Sequence, residues 1–301
     1  MQPPLPSSDR ATPGSVMWAL LPAATGLPVL FAYNTSPSTT FFNQALAIGL
    51  WGAITCWASG RAGRVARCGL GALGAGPGAV LAAFAGIVVG ALLPASVWWT
   101  APSLAGGAVG VGAAAAGVVL AAGRLAPGAG RAEVGQAFLV AWVLAGLASA
   151  AVAMVQVFAP SWPDGDVIAH SSVAGRAVGN LRQPNHLSSV LLWAAIALIG
   201  WLEIRRLSTG LGDGPQADQD GRSLRHWTRV ASWLCLALFI WAIVLTASRT
   251  GLVGVALLAL WGLADRRVSR GNRLLLLATP LLYALAWWGM AWWAQSAEQT
   301  F

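Results

Sequence analysis

The chain has 301 residues, of which 57% are hydrophobic and only 9% charged, and its mean hydropathy is +0.66. No water-facing surface tolerates that composition, so a soluble globular domain is excluded and most of the chain has lipid for solvent. The net charge of +8 does not mark a nucleic-acid binder, because the basic residues, all arginine, fall in short blocks between apolar runs.

A bilayer core about 30 Å thick takes roughly 20 mainly apolar residues of helix. The apolar runs predict helices over residues 16–33, 41–59, 77–95, 103–122, 134–159, 187–203, 230–247, 251–264 and 274–294. They do not alternate with period two, which disfavours a β-barrel, and lipid forces each backbone donor and acceptor to be satisfied within its own segment. The expected fold is all-α, a polytopic transmembrane helical bundle of about nine spans forming a single membrane domain over 1–301.

Along the chain, the first run follows the lone Arg10 and reads as a first span, not a cleaved leader. Gly69-Leu-Gly-Ala-Leu-Gly74 matches a dinucleotide fingerprint by letter, but no strand precedes it; with Gly86 and Gly90 it points to close helix packing. Cys56, Cys68 and Cys235 lack metal-ligand spacing and are expected to be small packing residues. Residues 208–223, rich in Gly and Asp, read as a flexible linker. The tryptophan pairs at 98–99, 287–288 and 292–293 sit at span ends as an aromatic belt.

Arginine placement orients the spans. With the N-terminus inside, all eighteen arginines except Arg176, Arg182 and Arg249 lie in inside segments, and the C-terminus lies outside. Each of these three opposes the bias that places the others, so each is a candidate for binding an anion.

The longest outward connection, Pro160 to His186, is polar in an otherwise apolar chain and holds Arg176, Arg182 and two of the three histidines. It ends in Gly179-Asn-Leu-Arg-Gln-Pro-Asn-His186. Pro184 stops the preceding chain from being helical, and Asn185 is the expected N-cap of the next helix. That helix start presents free backbone amides, an anion-attracting arrangement, beside Arg182 and His186. Arg249 lies in Thr246-Ala-Ser-Arg-Thr-Gly251, a tight turn between two short spans. The bland alternative is that Arg249 merely snorkels to the interface and Gly251 permits the turn.

The stretch Gly-Asn-Leu-Arg-Gln-Pro-Asn-His before an apolar helix, about residues 175–200, resembles the signature of bacterial protein O-glycosylation ligases, including pilin glycosylation ligases. The Ser-Arg-Thr-Gly turn is similar to one in the wider O-antigen ligase family. The resemblance implies a glycosyltransferase of the inner membrane that uses no cofactor and no obligatory metal. It would move a glycan from undecaprenyl pyrophosphate, at the periplasmic face, to a Ser or Thr hydroxyl of an acceptor protein or to lipid A core. Arg249, Arg182 and Arg176 would bind the diphosphate. Gln183, Asn185 and His186 would orient the carrier or sugar, and His186 would serve as general base or else only structurally. The family continues into a large periplasmic loop with a further catalytic histidine, whereas this chain stops at Phe301, where that loop should begin, so an N-terminal part of a ligase is expected. Two other readings stand beside it: a polymerase of polyprenyl-linked glycans, and a noncatalytic membrane transporter or component.

Overall fold

In a computed structural model of the chain, the described residues are 13–33, 41–61, 81, 82, 85, 86, 89, 102–123, 129–171, 175–208 and 219–296. They form eight helices: α1 (Pro13–Leu30), α2 (Phe41–Arg61), α3 (Pro102–Gly123), α4 (Ala129–Phe158), α5 (Pro184–Ser208), α6 (Gln219–Thr246), α7 (Arg249–Ala264) and α8 (Arg270–Ser296). Among the described residues there is no strand. Each apolar run therefore coincides with a helix, except 77–95, which lies largely outside the described residues. Helix α6 starts at Gln219, so residues 219–223 of the expected linker are helical, and residues 209–218 lie outside the described residues.

Among the described residues, four segments are long and apolar enough to cross a membrane: Arg131–Phe158, Pro184–Leu207, His226–Thr246 and Arg270–Ser296. Helix α7 has 16 residues and rises about 24 Å, less than a bilayer core of about 30 Å.

The chain divides into two compact units, Met1–Val16 with Ala45–Val134, and Met17–Gln44 with Gly135–Phe301. The first holds most of α2 and all of α3, whose composition is dominated by Gly and Ala. Among the described residues, a Cβ at Gly49, Gly52, Gly86, Gly110 or Gly117 would meet nothing within 4 Å; Gly69 to Gly74 and Gly90 lie outside the described residues. Cys56 is exposed rather than packed, and Cys235, in the second unit, packs partly buried against the core.

The second unit contains one apolar core, built from Leu191, Ala194, Leu198 and Ile199 of α5, Leu236, Phe239, Ile240 and Ile243 of α6, and Val255, Leu258, Leu276 and Met290 of α7 and α8. Lipid offers helices no hydrophobic gain from association, so contact depends on close approach of backbones. Glycine supplies it in this unit: a Cβ at Gly146 of α4 would overlap Ala194, one at Gly254 would overlap Leu192, and one at Gly262 would stand 2.8 Å from Leu276. Gly251 faces Ser188 just as Gly254 faces Leu192. Positions 188 and 192 thus advance with 251 and 254, so α5 and α7 run in the same direction with their N-termini at one end.

The other end is basic. Glu203 of α5 accepts the backbone N–H of Ser269 at 2.7 Å and Asn272 Nδ2 at 2.8 Å, and lies 3.5 Å from Arg206. Arg273 donates through Nε to the Gly262 carbonyl at 2.9 Å, closing the C-terminus of α7. Arg205, Arg206, Arg266, Arg267, Arg270 and Arg273 therefore collect at one end of these helices, and Arg182 and Arg249 at the other.

Gly254→Ala is expected to destabilise the protein by about 1–3 kcal/mol through overpacking, read as thermal unfolding in detergent. Gly289→Ala, where a Cβ meets nothing, is expected to leave the midpoint unchanged or slightly raised.

Candidate functional site

Between α4 and α5 the described residues, 159–171 and 175–183, contain no helix, leaving many backbone groups to be paired by side chains. Asp164 makes the first turn: its Oδ1 accepts the N–H groups of Asp166, Val167 and Ile168 at 3.0, 2.8 and 3.2 Å. The Val167 bond foremost, then that of Ile168, holds the Asp164 carboxyl below the ordinary carboxylate range.

Gln156, a lone amide in the last turns of α4, is 4% exposed. Its Oε1 accepts from Val178 N at 3.0 Å and Gly179 N at 2.9 Å, and its Nε2 donates to the Ala169 carbonyl at 2.6 Å. Asn180, also buried, accepts Ala169 N at 3.0 Å and donates through Nδ2 to the carbonyls of Leu30 at 2.5 Å and Val167 at 2.9 Å. Ala177 N donates to the Leu245 carbonyl at 2.8 Å, tying the loop to the last turn of α6. Gly179 adopts φ 64°, a region that costs glycine nothing, and a Cβ there would lie 3.0 Å from Leu187.

Helix α5 begins two residues earlier than the sequence suggested. Leu187 N donates to the Gln183 carbonyl at 3.1 Å, which makes Gln183 the capping position and Pro184 the first helical residue, where its missing N–H costs nothing. Asn185 is therefore not the N-cap of α5. It lies in the first turn, and its side chain is spent on another helix.

That helix is α7. Ser248, in extended conformation, is the N-cap of α7: its Oγ accepts Gly251 N at 3.3 Å. The same hydroxyl donates to Asn185 Oδ1 at 2.7 Å and meets Ser188 Oγ at 3.2 Å. Ser188 in turn donates to the Asn185 carbonyl at 2.9 Å. Two motifs more than sixty residues apart are thus one hydrogen-bonded junction, joining the starts of two parallel helices. The turn before it is made by Ala247, with φ 45°, and not by Gly251, which is buried inside α7 against Ser188 and Ile243.

The junction places the expected site residues unequally. Asn185 meets Ser248, and their chain neighbours His186 and Arg249 lie at the same end of α5 and α7 with both side chains exposed. Gln183 is exposed at the cap of α5. Arg176 is exposed on the loop, its carbonyl accepting Ser171 Oγ at 2.6 Å. Arg182 turns elsewhere. It has φ 57°, and its Nη2 donates to the Ala32 carbonyl at 2.9 Å and the Gly165 carbonyl at 3.3 Å. Chemically, the junction gathers the N-terminal ends of two helices, with a guanidinium and an imidazole on adjacent residues.

Sequence reasoning missed Ser188, Ser248 and Gln156. A serine directly before an apolar run is an N-cap signal that would have found Ser248. A single amide inside an apolar span marks a polar contact and would have found Gln156. Nothing in the spacing distinguishes Ser188 from its neighbour Ser189.

A family model described as protein glycosylation ligase matches residues 177–202. The match includes Asn180, Arg182, Gln183, Asn185, His186 and Ser188, and ends before the Ser248 turn. Comparisons with curated proteins and with solved structures give no match.

Ser248→Ala is expected to cost about 1 kcal/mol for the lost cap. A double-mutant cycle of Asn185→Ala with Ser248→Ala, read by thermal unfolding, should give a coupling of about 0.5 kcal/mol or more. Additive effects would mean that the two motifs do not meet.

Proposed function

We propose that this chain acts as a protein glycosylation ligase: it binds a glycan carried on a polyprenyl diphosphate, undecaprenyl pyrophosphate, and takes part in its transfer to an acceptor hydroxyl at the outer face of the bacterial inner membrane. The acceptor is a Ser or Thr of an exported protein, or lipid A core. The observation that carries this reading is the contact between Asn185, inside the segment that matches the ligase family, and Ser248. It sets Arg249 beside the matched segment.

The chemistry follows from the groups. An acceptor oxygen attacks the anomeric carbon, the bond from that carbon to the diphosphate oxygen breaks, and the acceptor proton passes to a base. Negative charge grows on the departing diphosphate, so donors aimed at it stabilise the transition state more than the ground state. Arg249 supplies a planar, permanently charged fork for phosphate oxygens, and the amides at the starts of α5 and α7 add their dipoles. Arg176 is a further cation on the adjoining loop. His186 stands at the same junction, available to take the acceptor proton or to hold the sugar. Gln183 and Asn185 serve by holding the helix starts.

The orientation proposed from the arginines, N-terminus inside, puts the junction outside and the basic end inside. What supports this reading is that the two groups of arginines stand at opposite ends of α5 and α7.

The test is one variant read two ways, in bacterial cells that supply a lipid-linked glycan and carry this protein as their sole ligase. Arg249→Cys should lower transfer at least about 100-fold, the scale of removing one oxyanion donor, and its thiol should react with a membrane-impermeant maleimide added from the periplasmic side. Unchanged transfer, or a thiol reached only after lysis of the inner membrane, removes the proposal.

A further inference from the structure

We infer that Arg182 is a positioning residue: together with Asn180 it clasps the end of α1 to the loop that carries Gln183 to His186, and it acts on the anion site through that loop without touching the anion. The inference rests on the reading of the junction as that site.

The contacts form a ladder. Asn180 donates to the carbonyls of Leu30 and Val167. Arg182, two residues on, donates to the carbonyls of Ala32 and Gly165. Each rung bridges the same two segments, and the register moves by two on all three, so the side chains of 180 and 182 stand in for the strand pairing that the loop lacks. At the α1 side they satisfy carbonyls at and just beyond a helix C-terminus, which have no partner further along the helix. A guanidinium is favoured there by the helix dipole. Asn43 completes the cap, donating through Nδ2 to the carbonyls of Pro28 at 2.7 Å and Phe31 at 2.8 Å.

The same geometry argues against a phosphate ligand. A bidentate grip uses either the Nε and Nη2 edge of the guanidinium or the Nη1 and Nη2 edge. Both edges share Nη2, which already bonds two carbonyls, and Nε is enclosed by protein with no partner among the described residues. Arg249, exposed at the start of α7, carries no such commitments among the described residues.

The test uses the whole chain in lipid nanodiscs, with variants Asn180→Ala, Arg182→Ala, Arg182→Lys and Arg249→Ala. Hydrogen exchange reports the loop, farnesyl diphosphate reports anion binding, and glycan transfer in cells reports activity. Both alanine variants of the clasp should raise exchange in residues 164–171 and 177–183 about tenfold or more and depress transfer. The double variant should be no worse than the more severe single one, as expected for one unit. Arg182→Lys should behave like Arg182→Ala, because a single ammonium cannot reproduce the planar fork. Farnesyl diphosphate affinity should stay within about threefold in Arg182→Ala and fall about tenfold or more in Arg249→Ala.

Exchange that is unchanged in Arg182→Ala overturns the inference. So does a loss of farnesyl diphosphate binding equal to that of Arg249→Ala, or transfer largely preserved by Arg182→Lys while Asn180→Ala is silent. If the wild-type chain neither binds the probe nor transfers glycan, the functional reading fails, and the exchange arm alone still decides whether the clasp exists.

Discussion

A hydroxyl shared between two helix starts organises this molecule. Ser248 Oγ caps α7, bonds Asn185 of α5 and touches Ser188, so one small group satisfies an orphan amide and fixes the lateral register of two parallel helices. Glycine makes the arrangement possible. Side chains larger than hydrogen at 251 and 254 would push α7 away from Ser188 and Leu192, and the bond between Asn185 and Ser248 would open with them. In water such a bond competes with solvent. Here Ser248 is buried, which shields its side of the bond from that competition.

The loop obeys the same constraint by other means. Its backbone is irregular, so its amides and carbonyls are paired by side chains reaching in from three directions: Asp164 from within, Gln156 from α4, Asn180 and Arg182 toward the end of α1. The result is a connection held at both ends and in the middle. A site built from such a loop is positioned by its hydrogen bonds and not by a surrounding core, so polar substitutions well away from any ligand are expected to matter.

The helices were legible in the sequence because run length and apolarity are properties of single segments, and lipid leaves a long apolar run little option but helix. Even the short run at 251–264 emerges as α7. The polar loop was legible for the complementary reason, that polarity in such a chain has to be explained. Pairing was not legible. Asn185 looked like a cap because Asn before an apolar run usually is one, yet Pro184 can occupy the first helical position and frees Asn185 for Ser248. Gly251 looked like the turn residue, but Ala247 takes the positive φ and the glycine serves packing. Arg182 and Arg249 looked alike from their shared exception to the arginine pattern. Only coordinates separate a guanidinium bonded to carbonyls from one that is exposed.

The central claim is that the two motifs meet at one end of the bundle. It is tested most directly by cross-linking in native membranes, with Cys56, Cys68 and Cys235 replaced by serine and a protease site placed within residues 209–218. A protein carrying Asn185→Cys and Ser248→Cys should be joined by a short thiol-to-thiol reagent, so that its two fragments stay together after cleavage. A protein carrying Asn185→Cys and Asp265→Cys, which pairs opposite ends of α5 and α7, should fall apart. Separation of the 185/248 fragments, or equal joining of both pairs, would contradict the account.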